Sequence, residues 1–289
     1  MNGDIDVIKQ TKYGCSMQGP AEELSNLRRL SSWIGSNVSM VQGPGGNTSL
    51  KNSEFMWIKG SGTKLKDADI AEIFVRIDLF TGEPNPLTQD LRASIETNLH
   101  QLLSSTVVVH THSTAAIAAG FRADVEKVAT KFGRTSVVPY HRPGTSLADG
   151  IRNFVDTAIH DYAILKNHGL LVWGSTVEEV KQRIVAFENK FVGLLEYSEA
   201  DLIEARRLLR DGNLKRYLTP DHAVFLDPNT LKELEGGRFE PNWLEQMYEQ
   251  LCIALASSLH FRNLSWLDED EVRALQNWDI EKLRKEANN

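Results

Sequence analysis

Cysteine is nearly missing from this chain: there are two in 289 residues, Cys15 and Cys252, at a spacing that matches no zinc or redox motif. That excludes a disulfide framework and makes a reducing compartment the simpler reading. Basic residues are also short, with 32 Lys and Arg against 39 Asp and Glu and a net charge of −7. Such a chain exerts no general pull on nucleic acid or an anionic membrane, so any anion it binds must be captured by a local site. No uninterrupted apolar run reaches membrane length, and the opening MNGDIDVIKQTKYG lacks the apolar stretch of a secretory signal. The expected location is cytoplasmic. With 41% hydrophobic and 25% charged residues and no internal repeat, the composition is globular, sufficient for one large domain or one with an appendage.

What the chain does have is a stretch around which the rest can be arranged, SIETNLHQLLSSTVVVHTH, 94–112. VVVHTH is β-branched and apolar, so a strand is expected, and on a strand residues i and i+2 share a face. His110 and His112 then point one way and Thr111 the other. Two neutral imidazoles on one face can hold a divalent ion at about 2.0–2.1 Å per bond if a third ligand joins them. Equally, both can be hydrogen-bonded strand-end histidines. YAILKNHGLLVWG, 162–174, reads as two strands hinged at Asn167, His168 and Gly169. Backbone freedom beside a glycine lets His168 turn inward as the third-ligand candidate, or leaves it an ordinary turn histidine.

Elsewhere, 21–37 reads as a helix with Leu24, Leu27, Leu30 and Trp33 on one stripe, ended by Gly35 and Asn37. TSLK, FMWIKG, IFVRID and SVVPY are strands, and Pro84 and Pro86 break the loop after the third of these. Gly43, Gly45 and Gly46 permit N–H groups to converge on an anion, with Asn47, Thr48 and Ser49 as side-chain donors. Ser61, Gly62 and Thr63 repeat that chemistry, and two plain hairpin turns explain the same glycines. STAAIAAG, VEKVATKF, LADGIRNFVDTAIHD and 176–200 are helices, the last with Val180, Ile184, Phe187, Phe191 and Leu194 on one side and Thr176 and Glu179 as a capping box. Short helices and breakers follow, and the last fifty residues read as two or three helices. The expected division is an N-terminal arm over 1–20, a main domain over 21–200 and a helical extension over 201–289, with no composition shift at the second boundary.

GPGGNTS, GSG, SIE, HTH, PGTSLA and KNHGLLVWG, in that order over roughly 21–198, resemble the class II aldolase/adducin family. Within it the wording is most similar to the aldolase portions of bifunctional rhamnulose-phosphate aldolase/dehydrogenase proteins. The resemblance implies an α/β fold, an α/β/α layered domain with a largely antiparallel central sheet, assembled as a homotetramer. It implies zinc or another divalent metal on His110, His112 and His168, and Glu96 as the acid/base carboxylate. Asn47, Ser61, Gly62 and Ser94 match phosphate-binding positions, while Ile95 departs from the second serine of the fuculose-phosphate enzymes. No tyrosine matches the family's proton donor, which leaves Tyr140, Tyr197 and Tyr217 as loose candidates.

The implied activity is retro-aldol cleavage of a phosphorylated ketose to a dihydroxyacetone-phosphate-type product and an aldehyde. Three histidines add no negative charge to the metal, which keeps its electrophilic strength for the oxygen of the departing carbanion, and a nearby carboxylate can move the proton. Sugar-phosphate 4-epimerases, dehydratases and decarboxylases of the family use the same triad, and an adducin-like binding module would dispense with metal. On a helix Glu96 and His100 would share a face, with His100 at the surface or just behind the metal ligands.

Overall fold

The computed structural model describes residues 20–84, 91–131, 133–211, 216–235, 243–261 and 264–288. Cys15, Pro86 and all but the last residue of the expected N-terminal arm lie outside the described residues. Short runs rich in Val, Ile, Leu and aromatic residues form strands β1 (Asn47–Lys51), β2 (Phe55–Lys59), β3 (Phe74–Asp78), β4 (Val107–Thr111), β5 (Thr135–Val138), β6 (Tyr162–Leu165) and β7 (Gly169–Gly174). They lie in one sheet in the order β3-β2-β1-β4-β7-β6-β5, with β4 at the centre. Five neighbouring pairs are antiparallel and one, β5 with β6, is parallel, so the sheet is mixed rather than simply antiparallel. The reason lies in the connection: helix α5 (Thr145–Phe154) joins these two strands, and a strand–helix–strand crossover returns the chain in the same direction.

Alternation along β4 sends side chains to both faces of the sheet. Val107 and Val109 enter a core with Leu27 and Ile34 of α1 (Pro20–Gly35), Ala115 of α3 (Thr114–Phe121) and Phe187 of α6 (Val177–Phe191). Val108 enters the opposite core with Leu99 of α2 (Thr97–Leu102), Leu147 and Ile151 of α5, and Trp173 of β7. Helices therefore cover both faces. His110 shares the parity of Val108 and lies on the α2 side.

Helix α3 is buried along its whole length. Ala115, Ala116 and Ala119 face the sheet core, while Ile117 and Ala118 pack with Ala254 of α10 (Trp243–Ala256). Phe121 joins a second core that includes Leu209, Phe225, Leu251 and Leu255. Small side chains allow this double contact: a Cβ on Gly120 would already lie 3.2 Å from Lys166 Cα. The remaining helices are α4 (Val125–Lys131), α7 (Glu199–Arg210), α8 (Pro220–Phe225), α9 (Pro228–Glu235), α11 (Glu269–Asn277) and α12 (Asp279–Glu286). Among the described residues no helix is long and apolar enough to cross a membrane.

Two helices end earlier than their sequence periodicity predicts. α5 stops at Phe154 instead of continuing to Asp161, because Asp156 turns the chain: its Oδ1 accepts the Ala158 N–H at 2.9 Å and its own N–H donates to His160 Nδ1 at 3.1 Å. α6 stops at Phe191, and after a 3-10 turn over Val192–Leu194 the hydroxyl of Ser198 opens α7 in a capping box with Asp201. Thr176 caps α6 as expected, accepting the Glu179 N–H at 3.1 Å, but the box is not closed, because the Glu179 carboxylate accepts from the Ser175 N–H at 2.7 Å.

Candidate metal and anion site

Strand β4 ends beside the β6–β7 hairpin, and the hairpin's shape brings the third histidine in. Asn167 adopts a left-handed conformation, φ 57°, and its side chain donates to Leu218 O at 2.9 Å, which holds the turn in place. A Cβ on Gly169 would lie 2.0 Å from Thr111 O, so only glycine lets the turn press against the end of β4. The ring centroids of His110 and His168 are then 4.6 Å apart, with His112 at 5.0 and 5.3 Å from them. Each of the three offers a ligand atom within 4.8 Å of the others.

The alternative of satisfied strand-end histidines meets an obstacle in the hydrogen bonding. His110 Nδ1–H donates to Leu170 O at 3.0 Å, which leaves Nε2 with its lone pair and no partner. His168 Nδ1 and Glu96 Oε1 are also buried without partners. Each such atom costs about 1–3 kcal/mol if nothing satisfies it, and His110 Nε2 and Glu96 Oε1, 3.7 Å apart, fit a bound cation between them. Burial lowers the pKa of His110 despite Glu96, and holds that of His168 well below its usual range with help from His110 and His112. Neutral imidazole is the form that ligates metal.

Glu96 is not inside a helix. It occupies the N-cap position of α2, φ −96° and ψ 13°, and from there its Oε1 lies 3.7 Å from His110 Nε2 and 3.6 Å from His168 Nε2. His100 on α2 is not at the surface but fully buried, its Nδ1 2.7 Å from Ser49 Oγ. Apolar packing of α2 on the sheet, through Leu99 and Leu103, carries it inward.

Asn47, Ser61, Gly62 and Ser94 line one cavity with Glu96, His112 and His168. Asn47 Nδ2 donates to Ser94 Oγ, and Asn47 Oδ1 has no partner. The neighbouring donors do not all serve an anion. Thr48 Oγ1 pairs with Ser31 Oγ at 2.8 Å, Ser49 with His100, and the Ser61 N–H with Arg92 O at 2.7 Å. Gly45 is there for space, since a Cβ on it would lie 2.7 Å from His112 Nδ1. The tyrosine candidates are elsewhere: Tyr140 OH donates to Glu271 at 2.7 Å, Tyr197 is exposed, and Tyr217 packs on the ring of His222.

Three charged residues of the same cavity were missed from the sequence: Lys59, Asp221 and Arg284. Lys59 Nζ donates to Pro44 O at 3.1 Å, and burial, then Arg284, lowers its pKa to about 7. Asp221 Oδ2 accepts from His112 Nδ1 at 3.0 Å, and Arg284 forks onto the same carboxylate at 2.8 and 3.0 Å. Burial pushes the Asp221 carboxyl upward, but Arg284 and His112 outweigh it and hold it well below the usual carboxylate range. A roomier cavity of about 610 Å³ lies between α8, α9, α11 and α12 and contains none of the clustered histidines.

Residues 28–191 match the profile of the family described as Class II Aldolase and Adducin N-terminal domain. A curated relative, the uncharacterized oxidoreductase YuxG of Bacillus subtilis (strain 168), is 31% identical over 186 residues, 54% of this chain. The chain spans only 27% of that relative's length. The N-terminal class II aldolase domain of a conserved Thermoplasma acidophilum protein superposes with a TM-score of 0.55 at 24% identity, over 66% of this chain and 100% of that one. A sugar-phosphate aldolase from Thermotoga maritima gives 0.50 at 14% identity, over 61% and 94%. An aldolase II superfamily protein from Pseudomonas syringae gives 0.50 at 16%, over 86% and 98%. At these identities the structural likeness is one of fold.

Proposed function

The chain belongs to the class II aldolase and adducin family, and from that premise we propose that it is a metal-dependent aldolase cleaving a carbon–carbon bond in a phosphorylated ketose. The observation that supports this is the convergence of three buried histidines and Glu96 on one point, with His110 Nε2 and Glu96 Oε1 otherwise unpartnered. A divalent ion held by His110, His112 and His168, zinc being the first choice for imidazole ligands, supplies Lewis acidity to the substrate's carbonyl oxygen. Glu96, against two of the histidines, removes and returns the proton. Asn47, Ser61, Gly62 and Ser94 orient the anionic end, and Lys59, whose pKa burial lowers to about 7, lies beside them as a donor that an arriving anion would favour in its charged form. Cytoplasmic location, a homotetramer, and division into a catalytic domain over 21–200 and a helical extension belong to the same proposal.

The retained histidines disfavour an adducin-like module that needs no metal. A 4-epimerase, dehydratase or decarboxylase would use the same cluster and differ in its proton carriers. The test is metal analysis of purified protein followed by assay of ketose 1-phosphates for aldehyde release. A stoichiometric divalent ion with retro-aldol turnover supports the reading. Absence of a metal that added zinc does not restore would remove it, and turnover without carbon–carbon cleavage would move the assignment to a sister reaction.

A further inference from the structure

The sheet provides the histidines, but the carboxylate that holds one of them comes from outside the matched residues 28–191. Thr219 caps α8 by accepting from His222 N–H, Pro220 opens the helix, and Asp221 follows with its side chain 6% exposed against His112. With Nδ1 of His112 committed to Asp221, Nε2 is the nitrogen left for the cluster. Both oxygens of that carboxylate also accept from Arg284 of α12, whose guanidinium meets Glu281 at 3.1 Å as well. A buried ion pair of this kind is weak evidence of a stabilising role, because desolvation offsets its attraction.

The space beneath Arg284 makes the same arrangement functional. The cavity containing Asn47, Ser61, Glu96 and His168 holds about 30 Å³, room for a water or two and not for a sugar phosphate. What closes it is poorly anchored by apolar contact. Glu281 is the buried residue of α12, Leu283 is 47% exposed, and the helix is tied down by polar bonds: Arg284 to Asp221, Lys285 to Asp227 at 2.7 Å, and Asn288 to Gly62 O at 3.2 Å. Segments with few buried apolar contacts open at low free-energy cost.

We propose that Asp221 is a positioning residue for His112 and that the same carboxylate, through Arg284, latches α12 as a lid over the site. Opening the lid frees Arg284, and an anion arriving over Ser61 and Gly62 then competes with Asp221 for it. The inference rests on reading the histidines as a metal site, and its test is read without turnover. In the zinc-loaded protein the rate of metal loss to excess EDTA reports access to the cavity. Arg284→Gln should keep one metal per chain and remain folded, with a lower melting temperature from the carboxylates it leaves unpaired, and lose metal at least roughly tenfold faster. Asp221→Asn should weaken metal affinity by about 10–100-fold, the usual loss when a histidine's outer carboxylate is removed. The double variant D221N/R284Q removes both charges and guards against a fold lost to an unpaired buried arginine. A Cβ on Gly62 would lie 3.6 Å from Ala287 Cβ, so oxidation of a G62C/A287C variant should pin α12 and slow metal loss, with reductant restoring it.

Wild-type rates in both Arg284→Gln and the oxidised cross-link would overturn the lid, and wild-type affinity in Asp221→Asn and in the double variant would overturn the positioning role. If the wild-type protein binds no metal, the functional reading fails on its own. The latch is then decided by amide hydrogen exchange over 279–288, which Arg284→Gln must accelerate for the lid to stand.

Discussion

Among the described residues five histidines are buried, and they fall into two kinds. His222 sits alone among helices: its Nδ1 accepts the Leu218 N–H at 3.1 Å, the ring of Tyr217 packs on it, and burial pushes its pKa down to about 3. His100 is likewise away from the other rings, its Nδ1 held by Ser49, and its unpartnered Nε2 has no second histidine facing it. His110, His112 and His168 instead face one another, with centroids 4.6 to 5.3 Å apart, and one ring nitrogen each of His110 and His168 has no partner. Burial alone therefore does not mark a functional histidine. Mutual proximity with unpartnered nitrogens does, because folding has accepted a desolvation cost that only an added group can relieve.

The largest expected effect separates the two kinds directly. His110→Ala, His112→Ala and His168→Ala should each strip the metal, measured by elemental analysis after dialysis, while His222→Asn should retain it. Full occupancy in His168→Ala would remove that residue from the ligand set. Next comes Glu96→Gln, which preserves shape: kcat should fall by about 10²–10⁴-fold with the metal still bound. Loss of metal in this variant would make Glu96 a ligand, and near-normal kcat would make it a capping residue of α2.

The difference between the two kinds also sets what could be read from the sequence. HTH on a β-branched strand places His110 and His112 on one side because strand periodicity is local, and NHG marks His168 because a glycine-dependent turn is local too. Glu96 came only through the family resemblance, and the expected helical setting was wrong because Ser94 and Ile95 lead into the helix without belonging to it. Asp221 reaches His112 across 109 residues and Arg284 reaches Asp221 across 63, contacts formed by packing of the second core on α3. No spacing rule reaches that far. LTPD did carry a helix-start signal in Thr219 and Pro220, which fixes where Asp221 begins its helix but not what it faces.

A smaller effect belongs to the anion side of the cluster. Asn47 Nδ2 spends one N–H on Ser94 and keeps a second for an anion, so Asn47→Ala should raise KM for phosphorylated substrates. One lost hydrogen bond to a charged group is about 1.5 kcal/mol or more, a factor of roughly ten. The unphosphorylated sugars are the control, and an equal rise in their KM would show that Asn47 supports the strand rather than the anion.

The smallest effect tests the solitary kind. His222 has a folded pKa of about 3 against an ordinary value of 6.5, owing to burial. Above that ordinary value neither folded nor unfolded chain protonates it, and its full contribution to stability is present. As pH falls below 6.5 the unfolded chain takes a proton that the folded one refuses, so stability should drop by about 1.4 kcal/mol per pH unit until the folded pKa is reached. His222→Asn places an oxygen near the Leu218 N–H without a titrating group. Urea unfolding of metal-free wild type and variant at pH 7.5 and 5.5 should therefore give curves that converge toward acid, the wild type losing about 1.4 kcal/mol more over that interval. Because the clustered histidines are common to both proteins, the difference isolates His222. Parallel losses would mean that His222 accepts a proton inside the fold, and that the helical core around it is more open to water than its packing shows.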